Sequence, residues 1–311
     1  MTNSAPKRVV YTALFGGYED LLEQPAAAAS GVPFICFTDD PHLTSKSWKI
    51  RVVEPRFPAD LQRSARTIKI VGHESLAGYD ELLYIDNTVK LKVDPAALLD
   101  TWLRDQDFAL AAHSYRRHVV DEFDIVIRQG LDDPARVLEQ LTHYGADAEK
   151  ALLEPPLWAA ILARRATPHV AATMRLWLDH VLRYSRRDQL SIVIALASTA
   201  LPFSAIDIDN RDSEWHEWPV ASGRRAASPT STALTMFPAP PIARIGHLSN
   251  ELDEVTWRLN HAVKEREAEV VLLREERDAK ASELAALLGS RAWRLAALVG
   301  RASSLVRCSR H

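Results

Sequence analysis

The stretch "YDELLYIDNTVKLK", residues 79–92, decides how this chain is read. A short, continuous apolar run, "ELLYI", breaks off into Asp86, Asn87 and Thr88, the pattern of a buried strand running into polar residues at its carboxyl end. In open α/β sheets ligands bind outside the carboxyl ends of the strands, so Asp86 stands where a phosphate or metal ion would be met. A carboxylate there could hold a divalent cation that bridges phosphate oxygens. Taken alone, capping a turn with Asn87 is its more ordinary role.

Working outward, "RVVYTALF" reads as a first strand ended by Gly16-Gly17, "VPFICFTD" as a second, "WKIRVVEP" as a third stopped by Pro55, and "FALAAHSY" as a later one. Helical patterns lie between and after them: "SARTIKIVGHESL", "DPARVLEQLTHYG" and "TPHVAATMRLWLDHVLRYS". Alternation of this kind predicts an α/β domain with crossover helices on a parallel sheet. Arg66 and Lys69, three apart, fall on one helix face, and one fork donor beside one point charge suits a diphosphate; a solvated charged face is the plainer alternative. "RYSRRDQLS", residues 183–191, interrupts two apolar runs with charge, as either an active-site loop or a helix end would.

The chain has 311 residues, of which 47% are hydrophobic, enough for a sizeable core. A net charge of -3 gives no global pull toward nucleic acid. Two cysteines, Cys36 and Cys308, supply neither a disulfide framework nor a thiolate cluster, which fits a reducing cytoplasm. The start lacks the apolar core of a signal peptide, and no run approaches the ~20 apolar residues that span a bilayer. His73, His113, His118 and His216 match no closed zinc spacing, although His216 in "SEWHEWP" could return to the site. P-loop, dinucleotide-binding and serine-elbow motifs are missing.

Residues 1–219 form the expected α/β domain, and a Pro/Ser/Ala-rich linker occupies 220–246. In 247–290, Leu252, Val255, Leu259, Val263, Val270, Leu273, Leu284 and Leu287 recur at spacings near three and four, although Arg266, Arg277 and Lys280 interrupt the seam. The pattern predicts a short, imperfect coiled-coil helix that pairs with another copy or another protein; a long solvated helix is the alternative. Residues 291–311 mix Leu, Val and Trp293 with arginines, a basic amphipathic tail suited to an anionic membrane surface, or else a helix that packs back on the globular domain or continues the oligomer.

"YTALFGGYED", "FICFTDD", "RSARTIKIVGHESLAGYDELLYIDNTV", "AHSYRRHVVDEF" and "YSRRDQLS" occur in an order that resembles the glycosyltransferase-like domain family marked by TALFGGYD and RDQLSF. The resemblance covers about residues 8–219 and implies a GT-A-like fold with a mixed, mainly parallel sheet, akin to retaining enzymes related to glycogenin. It implies a nucleoside diphosphate sugar donor, a UDP-sugar in first choice, and a glycan or glycolipid acceptor. By the same resemblance, Asp86 matches the first aspartate of a DxD element holding Mn2+ or Mg2+, with Thr88 and His216 as further candidate ligands. Thr12, Ala13, Tyr18, Thr38 and Asp39 match nucleoside-side positions, and Arg66, Lys69 and Arg187 fall near the diphosphate. Asp188 and Gln189 match the pair beside the donor sugar, and His113, Arg116 and Glu122 the sugar or acceptor side.

Three departures stand out. The family's D-G-N is Asp86-Asn87-Thr88, its HPYR is "HSYR", and its GLYE is "PLWA", with Ala159 where the acid falls. The tail "LLGSRAWRLAALVGR" resembles endings of bacterial surface-polysaccharide enzymes, which implies a peripheral position on the inner face of the plasma membrane. The expected function is therefore glycosyl transfer in such assembly. The alternative is a non-catalytic nucleotide-sugar or glycan-binding scaffold that organises other enzymes. Asp188→Ala is expected to silence a catalyst while leaving its fold intact.

Overall fold

The computed structural model describes residues 5–221, Gly223 and 241–289. The chain divides into two compact units, Met1–Asn250 and Glu251–His311. The first contains β1 (Arg8–Leu14), α1 (Ala26–Ala29), β2 (Phe34–Thr38), β3 (Lys49–Val52), α2 (Leu61–Val71), β4 (Glu81–Ile85), β5 (Lys90–Leu91), α3 (Pro95–Trp102) and β6 (Phe108–Ala112). It continues through α4 (Val119–Arg128), α5 (Pro134–Asp147), α6 (Glu149–Leu152), β7 (Leu157–Arg165), α7 (Pro168–Arg183), α8 (Ile192–Thr199), β8 (Ser204–Ile206) and β9 (His216–Glu217).

Seven strands make one sheet in the order β3-β2-β1-β4-β7-β6-β8. All run the same way except β7, which pairs antiparallel with both β4 and β6. The sheet is mixed and mainly parallel, as expected. Side chains alternate between its faces: Val9, Tyr11, Leu82 and Tyr84 join one apolar cluster, and Val10, Leu14, Leu83 and Ile85 the other. Both faces are covered, which is why β1, β2 and β4 read as continuous apolar runs.

The strands expected in "RVVYTALF", "VPFICFTD", "WKIRVVEP", "ELLYI" and "FALAAHSY" all form, as do the helices in "DPARVLEQLTHYG" and "TPHVAATMRLWLDHVLRYS". The helix expected over "SARTIKIVGHESL" stops at Val71, where Gly72 takes a φ of 81°, and Glu74–Leu76 form a separate 3-10 turn. Strand β7 and helix α4 have no counterpart in the sequence reading. Because β7 runs backwards between β4 and β6, its first residues lie at the carboxyl ends of both neighbours. Asp86 N–H donates to the Ala160 carbonyl at 2.8 Å across that junction.

The small β5–β9 ribbon brings the chain after β8 back beside the end of β4. Val220 N–H then donates to the Thr88 carbonyl at 2.9 Å, so this return fastens the segment that follows Asp86.

Helix α9 (Pro241–Gly289) begins six residues inside the expected linker. Leu252, Val255, Leu259, Val263, Val270, Leu273, Leu284 and Leu287 are exposed along it. No described helix is long and apolar enough to cross a membrane. The basic tail, 291–311, lies outside the described residues.

Candidate active site

The carboxyl ends of β1 and β4, the first residues of β7, helix α2, the start of α4 and the turn before α8 surround one cavity of about 360 Å³. Local sequence places each wall. Asp60 caps α2 by accepting from Arg63 N–H, and the helix then sends Ile68 and Ile70 into the core while Arg66 and Lys69 line the cavity. Gly16 turns the chain after β1 with φ of 76°. A Cβ there would stand 2.7 Å from Leu61 Cδ1, which would have to shift, and the positive φ itself strains any residue with a side chain.

Lys69 is the electrostatic hub. Its side chain is 1% exposed, and its ammonium lies 2.6 Å from Asp188 Oδ2 and 3.4 Å from Asp86 Oδ1. Arg66 Nε stands 3.4 Å from Asp188 Oδ1. Tyr84 donates its hydroxyl to the same Asp86 oxygen at 2.8 Å. Burial alone raises the Asp188 carboxyl pKa, but Arg66 and Lys69 override it and hold the group well below the usual carboxylate range. Arg187 also faces the cavity, and its Nε has no hydrogen-bond partner among the described residues.

The turn carrying Arg187 and Asp188 is fixed from behind. Asp132 accepts from the Ser185 hydroxyl at 2.6 Å and from Arg186 N–H at 2.8 Å. The Trp177 indole donates to the Asp188 carbonyl at 2.9 Å. The polar interruption at 183–191 is thus a braced wall of the cavity, with a 3-10 turn over Asp188–Leu190.

On another side, Arg116 meets both Glu122 Oε1, at 3.2 Å, and the His113 ring. Burial and then the Arg116 charge push His113 down to about 3, so it is neutral at ordinary pH. Its folded pKa lies below the unfolded value of about 6.5, so the unfolded chain takes the proton first and stability declines as pH falls below that value. This one group contributes a slope of up to about 1.4 kcal/mol per pH unit. His180 and His216 are also lowered, chiefly by burial, and add to it. His113→Gln should therefore flatten the loss of stability between about pH 6.5 and pH 5 by one proton's share, measured by urea unfolding. An unchanged slope would refute the buried neutral imidazole.

Of the residues singled out by sequence, Ala13, Tyr18, Arg66, Lys69, Asp86, Thr88, His113, Arg116, Glu122, Arg187, Asp188 and Gln189 line this cavity. Four do not. Thr12 and Thr38 are buried within strands, the Thr38 hydroxyl accepting from Asp40 N–H, and Asp39 accepts from Gly16 N–H at 2.8 Å. His216 is fully buried, with Nδ1 at 2.8 Å from the Ser213 hydroxyl and Nε2 at 2.9 Å from the Asn210 carbonyl. Both ring nitrogens are engaged, which corrects its expected place as a metal ligand.

The remaining metal candidates do not complete a set. Thr88 accepts from the Trp218 indole at 3.1 Å. The Asn87 side chain accepts from Leu22 N–H and donates to Glu19 and to the Asp20 carbonyl, tying the loop after β1 to β4. Among the described residues no group of three His, Cys, Asp or Glu side chains is placed to hold a metal. Asp86 stays as a single carboxylate with an ammonium beside it, so the residues present do not fit a cation held by the protein.

Sequence reading missed Trp158, Trp218 and Glu19 in the cavity wall. Trp158 packs edge-on to Trp218 at 5.4 Å and at 5.0 Å from the His216 ring, a pairing that depends on β7 and the β5–β9 ribbon. "PLWA" does reach the cavity through Trp158 and Ala159, and the wall there is apolar.

A curated relative, the probable hexosyltransferase MUCI70 of Arabidopsis thaliana, is 27% identical over 154 residues, covering 46% of this chain and 26% of the relative. The chain thus matches only about a quarter of that protein's length. Core-mannan synthase A of Aspergillus fumigatus, solved in a Mn/GDP form, is similar with a TM-score of 0.40 at 10% identity, covering 80% of this chain and 84% of that one. The mannosyltransferase Ktr4p of S. cerevisiae is similar with a TM-score of 0.37 at 11% identity, covering 61% and 66%. The model of the TOD1/MUCI70 glycosyltransferase-like domain matches residues 2–203, and with that match over most of its length the chain belongs to this family.

Proposed function

We propose that the cavity binds a nucleoside diphosphate sugar, a UDP-sugar in first choice, and passes its sugar to a glycan or glycolipid acceptor. One observation carries this reading: Arg66, Lys69 and Arg187 converge on one cavity at the carboxyl end of β4, beside Asp86 and Asp188. When the bond from the anomeric carbon to the diphosphate breaks, its electron pair leaves on the diphosphate. Negative charge then grows where these cations stand, and fixed charges aimed at that point lower the barrier. Asp188 and Gln189 would lie beside the donor sugar, and His113, Arg116 and Glu122 on the acceptor side. The family match supports the same chemistry.

The test is a thermal-shift panel of nucleoside diphosphates and their sugars, since a ligand that binds only the folded chain raises its stability by mass action. At least one should raise the Tm, and Arg187→Gln, which breaks no observed hydrogen bond or ion pair, should abolish the shift. Release of nucleoside diphosphate from the active sugar should fall by about two orders of magnitude or more in Asp188→Asn. No shift with any member at millimolar concentration would overturn the donor site. A shift without turnover for any acceptor would favour a binding scaffold.

A further inference from the structure

We infer that Lys69 stands, as a fixed ammonium between Asp86 and Asp188, where a divalent cation would otherwise link protein to diphosphate, so that this site binds a nucleoside diphosphate without metal. The inference rests on the donor reading above. Lys69 Nζ is within ion-pair distance of both carboxylates, at 2.6 Å from Asp188 and 3.4 Å from Asp86. Its side chain is 1% exposed and lies over the Tyr84 ring, 5.1 Å from the centroid, while that tyrosine's hydroxyl donates to the Asp86 oxygen that Lys69 approaches. A divalent ion on that oxygen would sit against a buried positive charge held in place on both sides, and like charges in a low-dielectric site repel strongly.

Nor do neighbouring side chains offer a second ligand. Thr88 is engaged with Trp218, Asn87 with the loop after β1, and His216 through both nitrogens. Glu19 accepts from the Asn87 amide, and Glu122 is paired with Arg116. Donors suited to diphosphate oxygens are present instead. Arg66 and Arg187 line the same cavity; Arg66 Nε also pairs with Asp188 Oδ1 at 3.4 Å, whereas Arg187 Nε has no hydrogen-bond partner among the described residues. Guanidinium groups match phosphate oxygens through paired N–H donors and need no metal to do so.

The test is calorimetric titration of the full chain with UDP and with GDP, in EDTA and in excess MnCl2. Wild type should bind at least one of them in EDTA, with an affinity changed no more than about threefold by manganese. Lys69→Met removes the ammonium and leaves Asp86 and Asp188 facing each other. Its binding in EDTA should be at least about tenfold weaker, and manganese should restore it. Wild-type binding that needs manganese would overturn the inference while leaving the donor site intact. Failure to bind either nucleotide in both buffers would overturn the donor reading and the inference with it. Should Lys69→Met not fold, the wild-type comparison alone decides between these results.

Discussion

Replacing Asp188 with alanine is expected to destabilise the fold by about 3–5 kcal/mol, because it breaks a buried ion pair by removing one partner. The Lys69 ammonium, on a side chain 1% exposed, loses its contact at 2.6 Å and keeps only Asp86 at 3.4 Å. Arg66 loses its partner as well. Sequence alone suggested that Asp188→Ala would silence the site and spare the fold; the pairing with Lys69 corrects that expectation and makes Asp188→Asn the cleaner functional variant. The pH dependence has a definite sign. The folded carboxyl titrates below its unfolded value of about 3.9, so its contribution is fully present above that value and fades as pH falls through the folded one. Urea midpoints should show a constant gap between wild type and variant from about pH 5 to pH 8, narrowing only in stronger acid. A gap below about 1 kcal/mol near neutrality would mean that the pair does not brace the cavity.

Trp177→Ala should be comparably costly, at about 3–5 kcal/mol for truncating a large buried aromatic. Trp177 is fully buried in the cluster that also takes in Leu190, and its indole N–H satisfies the Asp188 carbonyl. Trp177→Phe retains most of the packing and loses that hydrogen bond, about 1 kcal/mol. The control is Trp102→Phe. Trp102 is equally buried, but it belongs to the cluster on the opposite face, and its Nε1 has no hydrogen-bond partner among the described residues. With the fraction folded held equal, turnover should fall in Trp177→Phe and stay near wild type in Trp102→Phe. Equal losses in the two would show that the indole supports the core and leaves Asp188 where it is.

Local sequence determined a good part of this protein. The strand ending at Asp86 and the helix that places Arg66 beside Lys69 follow from hydrophobic period and turn residues, which act over a few positions. The charged residues of "RYSRRDQLS" were legible as a type, since polarity between two apolar runs needs a reason. Strand β7 was not. "LWAAILARR" is apolar nearly throughout, and a buried run of that length looks alike as strand or helix. Its reversed direction comes only from pairing with β4 and β6, and that reversal delivers Trp158 and Ala159 to the cavity. Trp218 arrives through an equally remote pairing, the β5–β9 ribbon. The same holds for charge. Sequence placed His216 among metal candidates and left Lys69 as one of a phosphate-binding pair, whereas the folded chain gives both His216 nitrogens to its own turn and sets Lys69 between two carboxylates. Residue types and local periods are written along the chain, but the partner that each buried charge finds is chosen by which strands pair, and pairing is a long-range packing outcome.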